Sequence, residues 1–224
     1  MTRAVGVDGC RDGWVAVAID DGGFIEAAFE PTLARVFERF PEASAFGVDI
    51  PIGLVDAARE ADAAARAFLS GQASSVFSAP ARRALEAESF ADALAASREA
   101  TGRGLSKQSF HLFPKIREAD ALLPDERLHE VHPEISFRLM HPDAAPAGRK
   151  KTWGGLMERL ARLRGEGIVL PNALGPADGV GIDDVVDAAG AAWSARRIAR
   201  GEERRFPEVV SQIDRSGQLI VIAG

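Results

Sequence analysis

Val5-Gly6-Val7-Asp8-Gly9-Cys10-Arg11-Asp12-Gly13-Trp14 is the stretch on which the reading of this chain turns. A short apolar run ends in a carboxylate, a glycine-bearing turn follows, and a second apolar run, Val15 to Ile19, leaves it. The pattern predicts two strands joined by a tight turn, with Asp8 at the strand end. Gly9 and Gly13 give the backbone room for the turn and for the close approach of a ligand. An aspartate beside glycine is commonly only a turn former, so Asp8 gains meaning only from partners elsewhere in the chain.

Outward from that stretch, Asp21-Gly22-Gly23 is a hairpin signal, and Phe24 to Glu30 reads as a third strand of an antiparallel meander. Thr32 is placed to cap a helix over Leu33 to Phe40, and Ala45 to Ile50 reads as a fourth strand that again meets an acid, Asp49. A helix between strands three and four implies a crossover, which lets strand four lie parallel to a neighbour. Residues from about 55 to 123 read as a helical insertion, with helices over Asp56 to Leu69, Phe90 to Thr101 and Leu112 towards Leu123. Leu128 to Phe137 reads as strand five, whose parity puts Glu130, His132 and Glu134 on one face. The basic loop Gly148-Arg149-Lys150-Lys151-Thr152 precedes a helix over Trp153 to Arg164. Asp183-Asp184-Val185-Val186-Asp187 opens a helix that runs to about Arg200, and two short strands are expected near 209–213 and 219–222.

Composition sets the bounds. The 224 residues, 46% of them hydrophobic, suffice for one globular domain with an insertion. A single cysteine excludes an internal disulfide framework. Met1-Thr2-Arg3 leads straight into a strand with no secretory pattern, and no apolar run has membrane-spanning length, so a cytoplasmic setting without a membrane partner is expected. A net charge of −6 does not advertise nucleic acid in bulk, and a nucleic-acid enzyme would need a local basic patch.

Acids therefore stand at three separate places: Asp8, Asp49, and the group Asp183, Asp184 and Asp187. Ligands of open sheets bind at strand carboxyl ends, where Asp8 and Asp49 would be neighbours. Projected at about 100° per residue, Asp184 falls within the alanine edge of the apolar arc, Asp187 at its margin and Asp183 towards the polar side. First-turn acids also suit the helix dipole, but a carboxylate on a packed face is costly unless paired or metal-bound. Converging carboxylates persist only with a cation between them. All-oxygen donors suit Mg²⁺ or Mn²⁺, and four histidines with one cysteine show no zinc-ligand spacing.

Several cations are candidate phosphate contacts: Arg11, Arg82, Lys107, Lys115, Lys150 and Lys151. Lys115 lies inside a dense motif between Pro114 and Ile116. His132, between two acids, reads equally as a general acid/base or as a hydrogen-bonded core histidine. Cys10 reads as a small buried residue, and Trp14, Trp153 and Trp193 read as core.

On these residues the chain resembles the family called domain of unknown function 429, described as predicted nucleases of the RNase H fold. The motifs are Gly6-Val7-Asp8-Gly9-Cys10-Arg11-x-Gly13-Trp14, Asp49-Ile50-Pro51-Ile52-Gly53-Leu54, Ser75-Val76-Phe77 with Pro80 and Arg82, and Ser106-x-Gln108 with Pro114-Lys115-Ile116. Further on come Glu130-x-His132-Pro133-Glu134-x-Ser136-Phe137, Lys150-Lys151-Thr152 and Asp183-Asp184-x-x-Asp187-Ala188. The resemblance implies one α/β domain over 1–224: an RNase H-like mixed five-stranded sheet of order 3-2-1-4-5 flanked by helices, with the insertion after strand four. It implies divalent metal at Asp8, Asp49 and Asp184 or Asp187. Where nucleases of this fold often carry Glu on the fourth strand, this chain has Asp49, one methylene shorter. Glu130 and Glu134 are not standard superfamily positions, and Glu134 is expected to complete the site or orient a substrate. Arg11, Lys115, His132, Lys150 and Lys151 are the expected substrate contacts.

The expected function is a Mg²⁺- or Mn²⁺-dependent nuclease acting on DNA or RNA, with a homodimer left open. The alternatives are a small-molecule phosphoryl-transfer or nucleotide-binding protein, and a non-catalytic interaction module of the same fold, since fold does not fix function.

Overall fold

A computed structural model describes residues 2–143 and 148–224. The chain divides into two compact units, one built from Met1–Ile50, Glu126–Arg204 and Ala223–Gly224, the other from Pro51–Asp125 and Arg205–Ile222. In chain order the first unit opens with β1 (Ala4–Cys10), β2 (Gly13–Asp20), β3 (Gly23–Glu30), α1 (Leu33–Arg39) and β4 (Ala45–Val48). The second supplies α2 (Glu60–Phe68), α3 (Arg82–Leu85), α4 (Phe90–Thr101), α5 (Lys107–His111) and α6 (Phe113–Ala121). The first resumes with β5 (Leu128–Glu130), α7 (Pro133–Met140), α8 (Trp153–Gly165) and α9 (Ile182–Arg200). The short strands β6 (Arg205–Phe206) and β7 (Ile222–Ala223) pair near the chain's end. No described helix is long and apolar enough to cross a membrane.

The fold is α/β, and its five-stranded sheet, mixed parallel and antiparallel, has the order β3-β2-β1-β4-β5. β1, β2 and β3 form the antiparallel meander, with Asp20 facing Gly23 across a two-residue turn. Gly23 takes a φ of +112°, which a side chain would resist. Thr32 caps α1 by accepting from the Arg35 N–H at 3.3 Å. After that crossover β4 lies parallel to β1, and β5 parallel to β4. β1 and β2 are buried almost throughout, which suits central strands covered on both faces.

α9 covers this sheet at very short range. A Cβ added to Gly6 of β1 would stand 2.0 Å from both the Ala188 carbonyl oxygen and the Ala192 nitrogen. One added to Gly47 of β4 would stand 2.7 Å from the Ala191 carbonyl. The backbone of α9 therefore rests on bare glycine backbone, through its alanines. On its other side α7 packs on α9: Phe137 fills the space over Gly190, and the buried Ser136 and Ser194 hydroxyls meet at 2.7 Å.

Three expectations are corrected. Leu128 to Phe137 is not one strand: β5 ends at Glu130, Val131 makes an isolated bridge to Ala223, and α7 starts at Pro133. Proline at the first helical position forfeits no hydrogen bond and presets φ, so a proline that looks like a strand end begins a helix. Glu130, His132 and Glu134 thus do not share a strand face. Trp153 is not core, being 77% exposed at the first position of α8, whereas Trp14 and Trp193 are buried. The late strands shrink to an Ile213–Leu219 bridge and β7.

Within the second unit, Phe113, Ile116 and alanines of α2, α3, α4 and α6 are buried, and Phe68 lies against Phe206 with ring centroids 4.8 Å apart. Arg82 grips Asp120 with a two-bond fork, 2.7 and 2.5 Å. The hydrogen bonds from Arg82 hold the Asp120 carboxyl below its usual range.

Gly6→Ala is expected to destabilise the fold by about 3 kcal/mol or more in urea denaturation, because backbone must move to admit the methyl. Gly154→Ala, whose Cβ meets nothing within 4 Å, should change stability by less than about 1 kcal/mol. Asp120 has a depressed folded pKa, so its contribution is present above the unfolded value of about 4 and is lost as pH falls through the folded one. Asp120→Asn should therefore lower stability at pH 7 by about 1–2 kcal/mol and flatten the acid limb of a stability–pH curve. A variant whose acid limb matches the parent would refute the assignment.

Candidate functional site

Asp8 lies near the carboxyl end of β1, and Asp49 directly follows β4. Because the two strands run parallel with Val7 level with Val48, and the Asp49 N–H donates to the Val7 carbonyl at 2.9 Å, the two acids arrive side by side. The third comes from α9. The contact of Ala188 over Gly6 sets Asp187, one residue earlier, onto the same end of β1.

Burial is deep. Asp187 is 2% exposed, Asp8 is buried and Asp49 half-buried. Burial, then Asp49 and Asp187, push the Asp8 carboxyl well above its usual range. Burial raises Asp49 as well, against the opposing pull of His132 and Lys150. Asp187 is pushed up to about 6, again by burial first, with Lys150 opposing.

One cation enters this cluster. The Lys150 ammonium donates to Asp187 Oδ2 at 2.5 Å. Burial works against its charge, but Asp187, Asp8 and Asp49 outweigh that and hold it above the ordinary lysine value. Asp187 Oδ1 is buried and accepts no hydrogen bond from the described residues. A buried carboxylate oxygen left that way calls for a proton or a cation. Charge count leads to the same requirement, since three acids face one ammonium.

Lys150 is held in place by a second set of contacts. Arg159 of α8, 2% exposed, donates to both Glu134 oxygens at 2.7 and 2.9 Å and to the carbonyls of Gly148 and Gly155 at 3.1 and 3.2 Å. This ties the first turn of α7 to the loop that carries Lys150. Lys151 reaches Asp183 at 3.4 Å.

The structure thus brings Asp8, Asp49, Asp187 and Lys150 together, with His132 and Glu134 close enough to act electrostatically on Asp49. Asp187, expected at the margin of the apolar arc, is more deeply buried than the half-buried Asp184. Glu134 is engaged by Arg159. Arg11 is exposed in the β1–β2 turn, and Lys115 is half-buried on α6 of the second unit. Arg82 belongs to Asp120. Sequence reasoning missed Arg159. Its signal was its position in the helical stripe with Leu156, Leu160 and Leu163, where a cation must be paired.

The donor set fits a hard divalent cation in its chemistry: oxygen ligands, excess negative charge and a buried oxygen with no hydrogen bond among the described residues. In the side-chain positions seen, no three His, Cys, Asp or Glu residues among the described residues form a group that could hold a metal.

Lys150→Met should destabilise the protein in chelator by about 1–2 kcal/mol in urea denaturation, less than for a fully buried pair because the lysine side chain is 39% exposed. No loss would mean that Lys150 does not balance the cluster.

Comparison with family models matches residues 6–212 to Protein of unknown function (DUF429). Comparison with curated proteins gives no significant match, and comparison with solved structures gives none. The match spans nearly the whole chain, through β1, β4 and α9 and so through all three acids of the cluster; the chain belongs to the DUF429 family.

Proposed function

We propose that this protein is a divalent-metal-dependent phosphodiester hydrolase acting on nucleic acid in the cytoplasm. The observation that carries the proposal is the meeting of Asp8, Asp49 and Asp187, from three distant parts of the chain, in a buried cluster that one lysine leaves short of positive charge. The sheet order, which the resemblance to RNase H-like nucleases implies, supports it.

In this reading Asp8, Asp49 and Asp187 hold Mg²⁺ or Mn²⁺, with Asp184 beside them on α9. Bound there, such an ion lowers the pKa of a water and offsets charge on a phosphate. The protein's own groups do the rest. The rigid seat of α9 on β1 fixes the spacing of the carboxylates. Lys150, partly exposed, offers its ammonium to a phosphate oxygen, and Lys151 and Arg11 add charge at exposed positions. In this reading His132, near enough to Asp49 to act on it electrostatically, is the general acid/base. Glu134 acts through Arg159 rather than on substrate.

The Lys150–Asp187 pair favours a second reading, in which Lys150 is the permanent counter-ion of a non-catalytic interaction module. Asp8→Asn separates the two. The nuclease reading expects hydrolysis of labelled DNA or RNA to fall at least about a hundredfold and Mn²⁺ binding by calorimetry to be lost, with the circular dichroism spectrum unchanged. A wild-type protein that neither binds Mn²⁺ nor cleaves either nucleic acid supports the module.

A further inference from the structure

We propose that the second unit carries a ligand site of its own, for a nucleoside monophosphate. A cavity of about 400 Å³ lies in that unit, bounded by α2, the loop through Phe77 and the residues between α4 and α5. Its size suits a small ligand rather than a nucleic-acid strand.

The charge lining it is unbalanced. Asp62, the acid of the lining, is already engaged: its carboxylate pairs with Arg59 at 3.1 Å and accepts from the Ala79 N–H at 2.8 Å. Two further guanidinium groups pair with no carboxylate among the described residues. Among the described residues Arg66 donates to the Val76 carbonyl, at 3.1 Å, and to the Ser78 hydroxyl, at 2.9 Å. The exposed Arg103 makes no side-chain hydrogen bond or ion pair among the described residues; only its main chain is engaged, with Ser97 and Thr101. Two uncompensated arginines at one concave site suit a phosphate dianion, which a guanidinium meets with two parallel hydrogen bonds.

The other wall selects the organic part. Phe77 lies in the lining and is 42% exposed, and its ring stacks on no other ring among the described residues. A base stacks on such a face whatever its identity. The Thr101 hydroxyl donates to the Ser97 carbonyl and the Ser106 hydroxyl accepts from the Ser109 N–H, and each keeps a lone pair that can accept from a ribose hydroxyl. Arg66 also braces the 76–78 loop, a structural role sufficient for it alone; Arg103 has no such role, and it carries the test.

The site draws on no residue of the acid cluster, so it stands or falls apart from the nuclease reading. Full-length protein in EDTA is titrated by calorimetry with AMP, adenosine, ribose 5-phosphate and inorganic phosphate. AMP should bind more tightly than the other three. Arg103→Gln should weaken AMP roughly tenfold without shifting the melting temperature. Phe77→Ala should bring AMP down to the affinity of ribose 5-phosphate and leave the latter unchanged, and Asp8→Asn should bind AMP as the parent does. No AMP binding at millimolar concentration, equal binding of AMP and inorganic phosphate, indifference to both lining variants, or loss of AMP binding in Asp8→Asn would each overturn the proposal.

Discussion

The first unit depends on one close approach, that of the α9 backbone to Gly6 and Gly47. With no Cβ on β1 and β4 at those points, the carbonyls of Ala188 and Ala191 lie against strand backbone, a distance no larger residue permits. The alanines of α9 are the other half of that fit. A helix seated so closely has little freedom to slide or tilt, since any shift drives its backbone into the strands or opens a void. Asp187 precedes Ala188 by one residue, so the packing constraint and the chemistry are the same constraint. Its place beside Asp8 is fixed by glycine and alanine, not by any attraction between the acids, which repel.

That repulsion has to be answered. Asp8, Asp49 and Asp187 all have carboxyls raised by burial, so holding them together costs the fold stability. Lys150 offsets part of that cost. The lysine in turn is positioned by Arg159, which holds the carbonyls of Gly148 and Gly155 on either side of it while Glu134 neutralises the guanidinium. The order of dependence runs from Glu134 to Arg159, to the loop, to Lys150 and to Asp187. Glu134, expected to complete the site or orient a substrate, is thus a support for the cation that meets Asp187.

The meander, the crossover and the acids at two strand ends were legible because each has a local cause: alternation, Asp-Gly-Gly, a threonine cap, an apolar run stopping at a carboxylate. The break at Pro133 was not. Residues 128–137 carry a period-two pattern by coincidence, and only the helical start that Pro133 permits ends the strand at Glu130. The roles of Gly6 and Gly47 were hidden for another reason. The opening stretch drew notice to the turn glycines, whereas the glycine that matters most is inside the strand and meets a helix about 180 residues later in the chain. Trp153 misled because tryptophan is usually buried, while the first position of a helix has no neighbour turn to cover it.

The placement of Asp187 over Asp184 shows what a helical projection omits. The projection ranks residues by angle and assumes that the partner surface is a wall at uniform depth. Here the wall is nearest where β1 and β4 are bare, opposite Ala188, Ala191 and Ala192, and it falls away towards the first turn of α9. Asp184, one turn earlier, is therefore half-buried although it shares the angle of Ala191. Depth along the axis outweighs angle around it, and this selects Asp187 as the acid that completes the cluster with Asp8 and Asp49.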